Sequence, residues 1–219
     1  MSNGVVADRS RLAELALQMG VTLTELQCAT LLLYMDMIEK WNKVYNLTAL
    51  RDPADMFTHH LLDSLAAVAP LRRHLLEGHA TRLLDVGSGA GLPGVVFAVC
   101  CPELQVSCVD AVGKKAAFIQ QSGAELGLRN LRGVHARVEK LTDQFDVVSS
   151  RAFASLDDFT SWSSQALARD GVWLAMKGKH PAEEIAQLPI SVEVFHVEHI
   201  SVPCLDADRC LVWMRRVST

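Results

Sequence analysis

No run of uninterrupted apolar residues approaches the roughly 18 that a membrane-spanning helix needs, so no spanning helix is expected. The first twenty residues lack the apolar core of an export signal and carry Asp8, Arg9, Arg11 and Glu14 instead, so a cytoplasmic location is expected. Cysteine never occurs as Cys-x-x-Cys. Cys28, Cys100, Cys101, Cys108, Cys204 and Cys210 lie mostly in apolar runs, which points to free buried thiols in a reducing compartment. No Cys/His group has zinc-ligand spacing, and no metal is expected. Internal repeats and low-complexity runs are also missing.

What is present is ordinary globular composition: 50% apolar and 21% charged residues, unlike disordered, collagenous or coiled-coil chains. At about 150 residues per domain, 219 residues make one full domain plus an extension. A net charge of −4 argues against a strong nonspecific binder of nucleic acid. The charge is uneven, however. Residues 111–140 carry Lys114, Lys115, Arg129, Arg132, Arg137 and Lys140 against Glu125 and Glu139, a local surplus of four that leaves −8 elsewhere. A basic face on an acidic protein suits a selective anionic partner.

The first eighty residues read as helices. Leu12, Leu15, Ala16 and Met19 recur at helical spacing. Thr22-x-x-Glu25 reads as a capping box ahead of an apolar-striped run to Trp41. Asp52-Pro53 offers an N-cap and a proline at the first position of a helix that runs through His59, His60 and Leu65 and closes near Pro70. Beyond Gly78 short apolar runs alternate with helical ones. Strands are expected at 82–86, 104–110, 132–135, 145–149 and 171–176, with helices at 93–100, 114–126, 156–167 and 181–188 between them. Two further strands, 192–200 and 210–217, have no helix between them and are expected to pair antiparallel. The pattern predicts an α/β protein: an N-terminal helical extension over 1–78 and a doubly wound parallel sheet with an antiparallel C-terminal hairpin over 79–219.

The strongest local signal is Asp85-Val86-Gly87-Ser88-Gly89-Ala90-Gly91-Leu92-Pro93-Gly94, between a strand and a helix. Glycine leaves the backbone bare, so a ligand can lie directly on it. Gly89-x-Gly91-x-x-Gly94 formally matches the dinucleotide fingerprint, with Asp110 about twenty residues on, which keeps an NAD-dependent oxidoreductase open. S-adenosylmethionine is favoured by three features. Asp85 is placed for a methionine ammonium or for loop hydrogen bonds. Only 68 residues follow Arg151, too few for a separate substrate domain. The closing strand pair matches the hairpin of the class I methyltransferase (Rossmann-like) sheet. Asp110, ending its strand, can accept from both ribose hydroxyls or cap the next helix.

Several runs together resemble the GidB family of ribosomal RNA small-subunit methyltransferases. They are Lys40 to Thr48, Arg51-Asp52-Pro53, His60-Leu61-Leu62-Asp63-Ser64, the glycine loop, Arg137-Val138-Glu139 and Ser150 to Leu156. The resemblance implies methyl transfer from S-adenosylmethionine to N7 of a guanine in 16S ribosomal RNA, within the small subunit and by a monomer. It implies cofactor contacts at Gly87, Leu92, Val138, Glu139 and Arg151, to which the residue reading adds Asp85, Gly89 and Asp110. A noncatalytic ribosome-assembly binder is the other alternative.

Guanine N7 bears no proton, so its methylation needs no general base. The sequence agrees. An exocyclic-amine methylase would carry Asn/Asp-Pro-Pro-aromatic where this chain has Ser149-Ser150-Arg151-Ala152-Phe153. A pyrimidine C5 methylase would need a cysteine nucleophile beside that loop, and Pro203-Cys204 lies in the closing turn instead. Lys114, Lys115, Arg137 and Lys177 are candidates for RNA phosphates. Phe153 is expected to pack in the core or to stack on a base.

Overall fold

A computed structural model describes residues 3–77 and 81–217. In chain order the helices α1 (Asn3–Gln18) and α2 (Glu25–Tyr45) precede α3 (Pro53–Met56). A π-helical turn, Phe57–Leu62, runs into α4 (Asp63–Ala66) and α5 (Val68–Glu77). Then come β1 (Arg82–Val86), α6 (Gly94–Cys100), β2 (Gln105–Asp110), α7 (Gly113–Glu125) and β3 (Leu131–His135). The chain ends with β4 (Phe145–Arg151), α8 (Leu156–Trp162), β5 (Leu167–Lys177), α9 (Ala182–Ala186), β6 (Val192–His199) and β7 (Cys210–Arg216).

The strands form one seven-stranded sheet in the order β3-β2-β1-β4-β5-β7-β6. The five from β3 to β5 are parallel, and β7 pairs antiparallel with both β5 and β6. The order reverses between β1 and β4. There the connections leave in opposite directions and open a crevice at the carboxyl ends, where such sheets bind ligands.

Side chains alternate across the strands and feed two cores. Leu83, Val106, Val147, Leu174 and Trp213 face one way, against α6, α7 and the N-terminal helices. Leu84, Val86, Val148, Trp173 and Met214 face the other, against Leu156 and Phe159 of α8. Leu12, Leu31, Tyr34, Ile38 and Leu61 belong to the same core as Leu83 and Phe97, so the helical segment has no separate interior. The expected boundary between 78 and 79 lies outside the described residues. Cys28, Cys100, Cys101, Cys108 and Cys210 are buried free thiols, and Cys204 is exposed.

Three local expectations need correction. The capping box is Thr24-x-x-Gln27: the Gln27 amide donates to Thr24 Oγ1 at 3.1 Å, and the Thr24 amide donates to Gln27 Oε1 at 2.9 Å. Thr22 and Glu25 have the same spacing, but α2 begins at Glu25, so that carboxylate stands one residue into the helix and cannot reach back to its cap. Pro70 closes nothing. It sits in the first turn of α5, where amides have no helical acceptor and a missing N–H is harmless. Between Asp52, which does cap α3 at Ala54 and Asp55, and that helix, the expected single helix is broken by the π turn.

Thr24→Ala should therefore destabilise the protein by about 1 kcal/mol. Thr22→Ala, exposed and outside the cap, should stay within about 0.5 kcal/mol of wild type. Urea denaturation of the two variants side by side checks the register.

Candidate functional site

The turn after β1 is built for left-handed backbone. Gly87, Gly89 and Gly91 have φ of +64°, +58° and +93°. Such angles strain any residue with a β-carbon. At Gly87 a β-carbon would also strike the Phe153 ring, and at Gly91 it would meet Val95 and Ile119. At Gly89 nothing lies within 4 Å, so the bare backbone there opens outward.

The turn is held from three sides. Behind it is Asp85, fully buried, whose carboxylate accepts from the Gly94 amide at 3.0 Å and from the Ser149 hydroxyl at 3.1 Å. Burial pushes its pKa up to about 7, against the lowering effect of those two hydrogen bonds and of Arg151. Beside it is Asp110 at the end of β2. One of its oxygens accepts from the Gly89 amide at 3.0 Å, the other from the Val112 amide at 2.8 Å, and Lys115 Nζ lies 4.0 Å away. Beneath it is Tyr34 of α2, whose hydroxyl donates to the Ala90 carbonyl at 2.6 Å. Burial drives the Tyr34 phenol upward, so it stays a donor.

The other expected residues fall in distinct places. Leu92 points into the core on the α6 side and Val138 into the core on the α8 side. Glu139, Lys114 and Arg137 are exposed. The segment after β3 adjoins Asp110, because His135 pairs with it in register. Gly87, Gly89, Asp85 and Asp110 are thus brought together, with Lys115 at their margin. Lys177 lies on the far side, at the end of β5, held by Glu184 at 2.8 Å and donating to the Ala154 carbonyl.

Arg151 ends β4 and reaches the π turn rather than open solvent. It donates to the His59 carbonyl at 2.7 Å and to Asp63 Oδ2 at 2.9 Å. His60 lies beside it. Burial, then the Arg151 charge, lower its pKa to about 4, so the ring is neutral. Phe153 packs edge-on against Phe159 and Trp162 and covers Gly87.

Sequence reasoning missed Tyr34, Asp63 and Arg209. Tyr34 looks like one more member of an apolar stripe. Asp63 left a usable sign: a carboxylate inside Leu61-Leu62-Asp63-Ser64-Leu65 must find a partner if that face is buried.

The strand order, the bare turn after β1 and the carboxylate ending β2 define a class I S-adenosylmethionine-dependent methyltransferase. Solved structures share this fold. The N-methyltransferase NodS from Bradyrhizobium japonicum WM9, in complex with S-adenosyl-L-homocysteine, superposes with a TM-score of 0.59 at 13% identity, over 82% of this chain and 100% of that one. TrmN from Thermus thermophilus gives 0.55 at 16% identity, over 70% and 49%. The family model for GidB, rRNA small subunit methyltransferase G, matches residues 27–212, and the chain belongs to that family. Its relatives include ribosomal RNA small subunit methyltransferase G of Acidovorax ebreus (strain TPSY), 64% identical across 94% of this chain and 95% of that protein. The Polaromonas sp. (strain JS666 / ATCC BAA-500) protein of the same name is 67% identical across 88% and 87%. The hydride-transfer reading of the glycine fingerprint finds no support in this family.

The residues present fit S-adenosylmethionine. The open face at Gly89 gives the group a bare backbone to lie on, and the Asp110 carboxylate borders it.

Two outcomes follow. Tyr34→Phe should lower S-adenosylhomocysteine affinity severalfold in calorimetry. It should also cost about 1–3 kcal/mol of stability, because the Ala90 carbonyl loses its donor. Asp85 and His60 act oppositely on stability between pH 4 and 7. The raised Asp85 pKa favours folding below about pH 4 and loses that contribution as pH rises toward 7. The lowered His60 pKa favours folding above about pH 6.5 and loses its contribution as pH falls toward 4. Asp85→Asn should therefore gain stability relative to wild type steadily from pH 4 to 7, as read by denaturant midpoints.

Proposed function

We infer that this protein transfers a methyl group from S-adenosylmethionine to N7 of a guanine in 16S ribosomal RNA. The observation that carries this reading is membership of the rRNA small subunit methyltransferase G family, over residues that include the whole glycine turn. Bound S-adenosylmethionine supplies an electrophilic methyl on a sulfonium sulfur.

The chain's own task is orientation, which can account for most of the acceleration of a displacement. Gly87 and Gly89 would hold the donor on backbone, Asp110 at its ribose, and Val138 and Glu139 at the adenine edge beyond β3. Leu92 would shape the turn from within, since its side chain is core. Asp85 acts on the turn rather than on the substrate, because its buried carboxylate already serves Gly94 and Ser149. Arg151 joins this region to the N-terminal helices.

Proton removal is not required. Guanine N7 offers a lone pair, and the nearby Asp85 and His60 are both occupied by hydrogen-bond partners. Lys114, Lys115 and Arg137 lie on the β2–β3 side of the turn, suited to RNA phosphates that position the strand without reading it. The working form is a monomer acting on the small subunit in the cytoplasm, where that RNA is assembled.

Small subunits that lack the mark, incubated with the protein and S-adenosylmethionine, should acquire one new borohydride–aniline cleavage site at a guanine of 16S RNA. Unchanged cleavage with active donor present would overturn the assignment.

A further inference from the structure

Next to the glycine turn, and lined by none of its residues, is a cavity of about 400 Å³. That lies in the usual size range of small-ligand sites, roughly 300–1,000 Å³. Its walls are the π turn, the ends of β4 and β5, and Arg209 just before β7.

The charges in this cavity are arranged unusually. Asp63 is buried, and each of its oxygens takes one guanidinium: Oδ2 from Arg151 Nη1 at 2.9 Å and Oδ1 from Arg209 Nε at 2.7 Å. Two cations share one anion. Lys177, the remaining cation, is cancelled by Glu184. Neutral His60 adds nothing. Among the residues that line this cavity one positive charge is left over in a concave, partly dry place, where it attracts an anion far more strongly than on open surface, while Asp206 and Asp208 border Arg209 on its other side. Arg209 is the cation positioned to use it. Its Nη1 donates to the Asp208 carbonyl, while Nη2 has no partner among the described residues.

The backbone around the cavity is unusual too. π-helical turns are rare and concentrate at functional sites. This one turns both the His59 carbonyl and Asp63 onto Arg151. Ala152, also in the lining, has φ of +50°, a conformation seldom kept without a reason in the surroundings.

We propose that this cavity seats the RNA strand at the target guanine, with Arg209 contacting a phosphate beside that nucleotide. Its place at the carboxyl ends of β4 and β5, across Arg151 from the turn, sets the strand against the donor. The proposal rests on the methyl-transfer reading above.

Arg209→Gln removes the charge and the guanidinium tip but leaves an amide N–H where Arg209 Nε donates to Asp63, and Asp63 keeps Arg151. S-adenosylhomocysteine affinity should stay within about twofold of wild type, while KM for unmethylated subunits rises about tenfold. The slope of log affinity for 16S RNA against log salt should shrink by about 0.7, the share of one phosphate on a single strand. A merely structural role would not move that slope. Unchanged KM and slope would overturn the proposal. So would a fall in cofactor affinity that tracks the rise in KM, since the cavity would then belong to the donor.

Gly178→Asp decides the matter if Arg209→Gln folds poorly. Gly178 is exposed on the rim, and a β-carbon there meets only the Asp208 carbonyl, at 3.9 Å. The added carboxylate should raise KM about tenfold with cofactor affinity unchanged, and wild-type KM would again overturn the proposal. Arg73→Gln, on the exposed Arg73–Glu198 pair away from this cavity, is the control expected to match wild type. If wild type gives no cleavage at 7-methylguanine, the methyl-transfer reading fails. The salt slope of RNA binding, which needs no turnover, still tests the cavity.

Discussion

A turn with glycine at four of its eight positions has few side chains with which to anchor itself. Every other feature of this molecule depends on the way the backbone from Gly87 to Gly94 is gripped from outside. Asp85 takes the amide that opens α6, Asp110 takes the amide of Gly89, and the Tyr34 hydroxyl takes the carbonyl of Ala90. With the Gly87 and Ser88 amides donating to the Val109 carbonyl, these bonds order a segment whose glycines would otherwise have the largest conformational freedom in the chain. The carboxylate of Asp85 is the costly member, since burial raises its pKa to about 7. It is tolerated because the Gly94 amide and the Ser149 hydroxyl both point at it.

Tyr34 belongs to the N-terminal helices, so the grip on the turn crosses what the sequence pattern divides. The same is true on the far side of the crevice, where Asp63 joins the end of β4 to the segment before β7 through Arg151 and Arg209. A shared core lies between these two polar links. The helices are therefore part of the catalytic domain's interior and of its mouth. Removing a single partner from a buried ionic group leaves an uncompensated charge, which commonly costs 3–5 kcal/mol. The Asp63 arrangement is buffered against that, because either arginine can be lost while the other remains.

Much of the fold was legible in the residues. The strands before and after the glycine cluster and the antiparallel closing pair all follow from apolar runs punctuated by Gly, Pro and Asp. The glycine turn was legible because positive φ and close approach leave few choices of residue. Where two local signals compete, legibility stops. Thr22-x-x-Glu25 and Thr24-x-x-Gln27 have the same chemistry, and only the packing of Cys28, Leu31, Tyr34 and Ile38 selects the second. The π turn was not legible at all, since no periodicity in Phe57–Leu62 announces one extra residue per turn. Its His59 carbonyl and the Asp63 carboxylate just beyond it are both bound to Arg151, 88 or more positions away, a contact that no local pattern announces.

The residues by themselves determined the sheet class, the glycine turn and the family, because these rest on short-range backbone demands and on motifs contiguous in the chain. Tertiary structure alone decided what the isolated charged groups do. Asp85 supports the turn, Lys177 is neutralised by Glu184, and Asp63 draws together two arginines 58 positions apart in the chain. The reason is physical: the state and role of a charge depend on its partners and on the water excluded around it, and neither is a property of sequence neighbours.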